Sequence, residues 1–214
     1  MSKRTLFVCG VALGLALSAL TLTAAEQAGV SGAAERREVE QRVTGGVVTL
    51  YALDPLARTL CFADGRDGHV FHENEVRNRC SDLDFGSYRA GHFSVGVEGA
   101  RLGAVVNLGT ADELRQRYGY PETVGNGQGF ASLRAEGGRV LVLKGVRPHA
   151  EQELKESALL FGEGAGAASA PVKLGNIYLV RLTDRRDRDF ERVVKLKVIA
   201  HTPNESVTVR WQAL

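Results

Sequence analysis

The chain carries almost no surplus of charge. Its 214 residues include 27 Lys and Arg against 25 Asp and Glu. A nucleic-acid binder needs basic charge to neutralise phosphates, so no nucleic-acid partner is expected. Cysteine is scarce, at 3 residues. A metal site needs more ligands at short spacing, and a redox pair usually sets its cysteines three apart. Neither arrangement is present. The sequence also lacks Gly-x-Ser-x-Gly, Ser-x-x-Lys and His-Glu-x-x-His, the local patterns that mark common nucleophiles and zinc proteases. No catalytic residue is assigned on these grounds, and no cofactor or metal is expected. Proline is low, at 5 residues, whereas glycine reaches 25. Many glycines between short apolar runs suit a chain full of tight turns, which favours β structure.

The most informative segment is the first one. Ser2, Lys3 and Arg4 give a basic start, and an apolar run extends from Leu6 to Leu22. Thr23, Ala24 and Ala25 then supply small residues ahead of polar Glu26. This order describes a secretory signal peptide over residues 1–25. A retained membrane anchor is the rival reading. The run, however, is near the lower length limit for a span and is interrupted by Gly10, Gly14, Ser18 and Thr21. Cys9 lies inside the run behind Phe7 and Val8, not after it, which excludes it as a lipid attachment site. Cleavage after Ala25 removes Lys3 and Arg4 and leaves acidic and basic residues in equal number. The expected location is secreted or periplasmic, with no membrane span left in the mature chain.

Cleavage also removes Cys9 and leaves Cys61 and Cys80. In an oxidising compartment such a pair reads as a disulfide. Closing a loop of about 20 residues contributes roughly 3 kcal/mol in the chain-entropy model.

Residues 26–44 are polar and read as a flexible lead-in. From residue 45 to 214 the pattern is that of one β-rich domain. Val47 to Leu53, Thr59 to Ala63, Leu83 to Phe85, His92 to Val97 and Gly103 to Leu108 are strand candidates. Thr110-Ala111-Asp112-Glu113 is a capping box opening a helix that runs to Tyr118 and stops at Gly119. Gly129 to Arg134 and Arg139 to Lys144 flank Glu136-Gly137-Gly138 as a hairpin. Pro148 opens a second expected helix. Glu151 and Lys155 are spaced in it for an ion pair, and Leu154, Ala158 and Phe161 share one face. A Gly/Ala-rich stretch, residues 162–171, reads as a mobile loop. Beyond it, Ile177 to Leu182 and Arg192 to Ala200 are strands. Val207, Val209 and Trp211 alternate with polar residues on the last strand, giving one core face and one wet face. Trp211 is expected to anchor the core. The fold class expected is an antiparallel β-sandwich or partly open barrel with two short peripheral helices.

Several clusters invite a chemical reading. Gly125-Asn126-Gly127-Gln128-Gly129 resembles a phosphate loop, but strand-like Phe130-Ala131-Ser132-Leu133 follows where a helix is needed. His69, His72, Glu73 and Glu75 are the best metal-like group, yet a spacing of three puts two rings on opposite faces of a strand. Asp82 and Asp84 share one face of a strand and suit either cation binding or an acidic outer face. Asp184, Asp187 and Asp189 alternate with arginines and read as a solvated turn. Tyr118, Tyr120 and Phe130 bracket the glycine-rich loop and are the candidate ligand-binding residues, with aromatic faces suited to a sugar or a partner. The role expected is an exported, non-catalytic binding or envelope-associated protein whose partner is a protein or an extracellular polymer. The alternatives are a secreted hydrolase using His92 or His201, and a structural accessory subunit.

Overall fold

A computed structural model describes residues 43–54, 57–67, 81–96, 101–119, 132–144, 150–162 and 166–214. In these residues the order of elements is β1 (Gly45–Tyr51), β2 (Thr59–Leu60), β3 (Leu83–Phe85), β4 (His92–Val95), β5 (Arg101–Thr110), α1 (Ala111–Tyr118), β6 (Leu133–Glu136), β7 (Arg139–Lys144), β8 (Ala150–Glu153), α2 (Ser157–Phe161), β9 (Ser169–Pro171), β10 (Asn176–Asp184), β11 (Glu191–Thr202) and β12 (Ser206–Ala213). The strands form a central sheet in the order β1-β12-β11-β10-β5, a second sheet β2-β3-β4-β9, and a third, β6-β7-β8. All pairings are antiparallel. The fold is mainly β and sandwich-like, and the sheets do not close into a barrel.

Alternation along β10, β11 as far as Val198, and β12 gives the central sheet two distinct faces. Tyr178, Val180, Val194, Leu196, Val198, Val207, Val209 and Trp211 point to one side and meet Leu60, Phe62, Leu83, Phe85, Phe93 and Val95 of the second-sheet region. Trp211 is 2 % exposed and packs its ring 5.3 Å from that of Phe62, as expected of a core anchor. On the other side Ala104, Val106, Leu108, Ile177, Leu179 and Val193 cluster with residues of α1, α2, β6 and β7. Among the described residues that cluster includes none from β12 or β1. The cross-strand row through residues 47, 210, 197 and 177 therefore runs from exposed Val47 to fully buried Ile177.

Local chemistry sets the ends of α1. The Thr110 hydroxyl accepts from Glu113 N–H at 3.3 Å, and the Glu113 carboxylate accepts from Thr110 N–H at 2.7 Å. Gly119 closes the helix with φ 62°. Its N–H donates to Arg115 O at 2.8 Å. Gly137 and Gly138 both have positive φ, which the tight turn between β6 and β7 demands.

Three expectations are corrected. The helix placed after Pro148 is only α2, because Ala150–Glu153 pairs with β7 as strand β8. Glu151 bonds Arg134 across that small sheet at 2.7 Å and is no longer one turn from Lys155. The Gly/Ala-rich stretch is not mobile at its C-terminal end, where Ser169–Pro171 pairs with β4. Asp184 is 5 % exposed and not a solvated turn residue. Its carboxylate accepts from Arg186 N–H at 2.8 Å and lies 3.8 Å from Arg101 Nε.

Candidate functional site

The two edges of the central sheet differ. β5 is covered on its outer edge around Gly103 and Val105. Val105 N–H donates to Ala167 O at 2.9 Å, and Val95 N–H donates to Ala168 O at 2.9 Å beside it. Gly103 presses so closely on β4 that a Cβ there would stand 2.6 Å from Val95 O. Gly96, at φ +60°, faces it with the same backbone-to-backbone contact.

β1 is different. Ala213 N–H donates to Thr44 O and Ala52 N–H to Glu205 O, both at 2.8 Å. Antiparallel bonding alternates, so the even-numbered residues of β1 face β12. The N–H and C=O groups of Gly45, Val47 and Thr49 then face away from it. Tyr51 N–H ends this stretch by donating to Ala57 O at 3.1 Å. Among the described residues no strand pairs with the outer edge of β1. Its sequence, Gly-Gly-Val-Val-Thr-Leu-Tyr, carries neither charge nor proline. Edge strands usually carry one or the other, which discourages pairing with another chain.

Side chains beside this edge are apolar and open. Val47 is 55 % exposed, Tyr51 47 % and Leu53 85 %. A cleft of about 560 Å³ is lined by Tyr51, Leu53, Asp54 and Glu205. Thr49 and Thr208 touch through their hydroxyls at 2.9 Å, and Arg210 stands opposite Val47 in register. The surface thus combines outward backbone groups, an exposed aromatic and apolar patch, and a cation. Such a combination recognises extended polypeptide. A second cleft, of about 530 Å³, lies at the opposite side of the sheet among Asn107, Glu113, Arg117, Lys173 and Asn176.

The residues singled out from the sequence are dispersed. Tyr118 is 3 % exposed. Its hydroxyl donates to Glu156 at 2.9 Å and accepts from Lys155 N–H at 3.2 Å. Burial, with the Glu156 contact, raises its phenol above the ordinary range. Tyr118 belongs to the core cluster around α1 and β7, so its ring offers little free face for stacking. Tyr120 and Phe130 lie outside the described residues, as do the glycine-rich loop, His69, His72, Glu73, Glu75 and Cys80. Cys61 is buried at the end of β2.

Asp82, one residue before β3, and Asp84 within it are both buried and form no acidic outer face; each serves a structural bond. Asp82 is 1 % exposed, accepts from Phe62 N–H at 2.9 Å and lies 3.6 Å from Arg192. Desolvation raises its carboxyl pKa, opposed by the Phe62 N–H and by Arg101 and Arg192. Asp84 accepts from Ser87 N–H at 3.0 Å and from the Ser87 hydroxyl. His92 Nδ1 lies 3.4 Å from Ser169 Oγ, and its pKa is lowered by desolvation and by Arg89. His201 packs edge-on against Phe85 at 6.1 Å. The two histidines thus sit in separate contacts, His92 beside Ser169 and His201 against Phe85. Among the described residues no three His, Cys, Asp or Glu converge as a metal group, and no helix is long and apolar enough to cross a membrane. Comparison with protein-family models, with curated proteins and with solved structures finds no match to this chain.

Proposed function

We propose that the protein is an exported, non-catalytic binding protein that receives an extended segment of a partner protein along the outer edge of β1. One observation carries this reading: the outward backbone groups of Gly45, Val47 and Thr49 lie beside exposed Val47 and Tyr51 in a strand without charge or proline. Strand addition satisfies those groups and covers the apolar side chains in one step. The covered edge of β5 supplies the internal contrast.

A photo-crosslinking side chain at position 47 is the direct test, with Leu102 on β5, 42 % exposed, as the control. Position 47 should trap a partner polypeptide in the cells that make the protein, and position 102 should not. Absence of an adduct at 47, or equal adducts at both sites, rejects the reading. Val47→Lys should remove the adduct formed from a crosslinker at position 49 while leaving the melting temperature within a few degrees.

Export and the Cys61–Cys80 disulfide belong to the same proposal. Asp82 N–H donates to Leu60 O at 3.0 Å, so the chain two residues beyond Cys80 runs alongside β2 next to Cys61. Intact mass should place the mature N-terminus at Glu26, and a non-reducing peptide map should join the two cysteines. Two free thiols in freshly exported protein would refute the bond.

A further inference from the structure

The second cleft lies where the end of β5, one face of α1 and the turn before β10 meet. Local bonds set its walls. Glu113, Gln116 and Arg117 stand three and four residues apart and so share one face of α1. Gly109, at φ +86°, lets that face close in, since a Cβ there would collide with the Glu113 carboxylate. The turn is pinned as well. Lys173 N–H donates to the Tyr178 hydroxyl at 2.9 Å, and Asn176 N–H donates to Lys173 O at 3.2 Å. The cavity between these walls measures about 530 Å³, a size suited to a small ligand.

Two asparagines are joined inside it. Asn107 Oδ1 accepts from Asn176 Nδ2 at 3.0 Å and from Gly109 N–H at 2.8 Å. Both lone pairs of that oxygen are thereby used. The bonds leave the Asn107 NH2 group and the Asn176 carbonyl oxygen for a ligand, a fixed donor beside a fixed acceptor. Asn176 is 8 % exposed. Charge of both signs stands around the pair. Arg117 is engaged by its neighbours, donating to Glu156 at 2.6 Å and to Leu108 O. The Thr110 N–H bond, aided by Arg117 and Lys173, holds the Glu113 carboxyl below its ordinary range. An anion here meets Glu113, and a cation meets Lys173 and Arg117. The apolar side chain of the lining, Leu108, is buried.

We propose that this cavity binds a neutral, hydroxyl-bearing ligand, a sugar unit of an uncharged saccharide. A sugar hydroxyl donates and accepts at once, so one hydroxyl accepts from the Asn107 NH2 and donates to the Asn176 carbonyl. The Gln116 amide, exposed on α1, offers a second donor and acceptor to a neighbouring hydroxyl. Amides already held by other bonds lose little freedom when the ligand arrives. This site is independent of the reading of β1.

The test titrates the 15N-labelled mature chain with glucose, N-acetylglucosamine and their β-1,4-linked tetramers, and with a galacturonate tetramer as the charged control. A neutral probe should shift the side-chain amide signals of Asn107 and Asn176 with a Kd of about 1 mM or tighter, and leave Val47 and Thr49 unmoved. Salt should not alter the affinity. Tighter binding of a tetramer than of its monomer marks a polymer as the source, and equal binding marks a free sugar. Gln116→Ala, which keeps α1 intact, should weaken binding at least about threefold. Asn107→Asp keeps the oxygen that accepts from Gly109 but removes the NH2 donor, and should weaken it more. Affinity unchanged in both variants overturns the proposal, as does tighter binding of the galacturonate tetramer than of every neutral probe. No shift at Asn107 and Asn176 from any neutral probe overturns the site itself. The reading of β1 stands or falls separately, by its own crosslinking test.

Discussion

Replacing Lys195 with Met should flatten the pH dependence of stability on the alkaline side of neutrality. Lys195 is fully buried on β11, between Leu179 of β10 and Gln212 of β12. Desolvation lowers its pKa from 10.5 to about 7. The unfolded chain therefore binds a proton between about pH 7 and 10.5 that the folded chain does not. Stability rises with pH wherever the unfolded state holds more protons. Below the folded pKa both states are protonated, and the full penalty of about 5 kcal/mol applies. Between pH 6 and pH 9 roughly 2–3 kcal/mol of it is recovered. Chemical denaturation of wild type and Lys195→Met at both pH values gives the needed difference. The rise in unfolding free energy should be smaller in the variant by that amount. Other groups titrate in both proteins and cancel, including His92, whose pKa is lowered chiefly by desolvation. An identical rise in the two proteins would show that the buried amine is not the titrating group, and the account of its burial would fail.

Two further outcomes follow from the packing. Trp211→Ala should lower stability by about 3–5 kcal/mol, since the indole is buried against Phe62 at the centre of the larger core. Its fluorescence should be blue-shifted in the native state, move red on unfolding, and resist iodide; free quenching would mean that β12 faces the other way. Gly103→Ala should destabilise by more than the roughly 1 kcal/mol typical of a point substitution, because the new methyl meets the Val95 backbone at 2.6 Å. A melting temperature equal to wild type would show that β4 and β5 separate at little expense.

Much of the fold was legible because its signals are local. The capping box at Thr110 and Glu113, the Gly137-Gly138 turn, and the alternation of Val207, Val209 and Trp211 each declare themselves within a few residues. Ala150–Glu153 did not. Its spacing of Glu151 with Lys155, and of Leu154 with Ala158 and Phe161, satisfies a helix, but β7 offers a strand partner that no local pattern records. Tyr118 likewise stands beside a glycine-rich segment in sequence and against Glu156 in space. The status of β1 is the least legible of all. The run Gly45–Tyr51 reads as a strand at once. That it is an edge depends on β12: Thr49 meets Thr208 across a separation of 159 residues. The same distance hides what stands across from the lysines of β11. Lys195 and Lys197 are visible as an alternation, but only the β11–β12 register sets Gln212 opposite the first and Arg210 opposite the second.

The unequal edges bear on assembly. A head-to-tail polymer requires two different complementary surfaces on each subunit, and a sheet that grows in one direction must be open at both ends. Here the close approach of Gly96 and Gly103 shuts one end. Any sheet this chain joins through β1 must stop at it. Self-association through β1 alone is confined to a closed pair, since each of the two copies then uses up its β1 edge. Joined through β1, the central sheet can thus terminate an array of strands but does not carry it on past β5 at Gly103, a property that suits an uncharged, strongly β-forming edge.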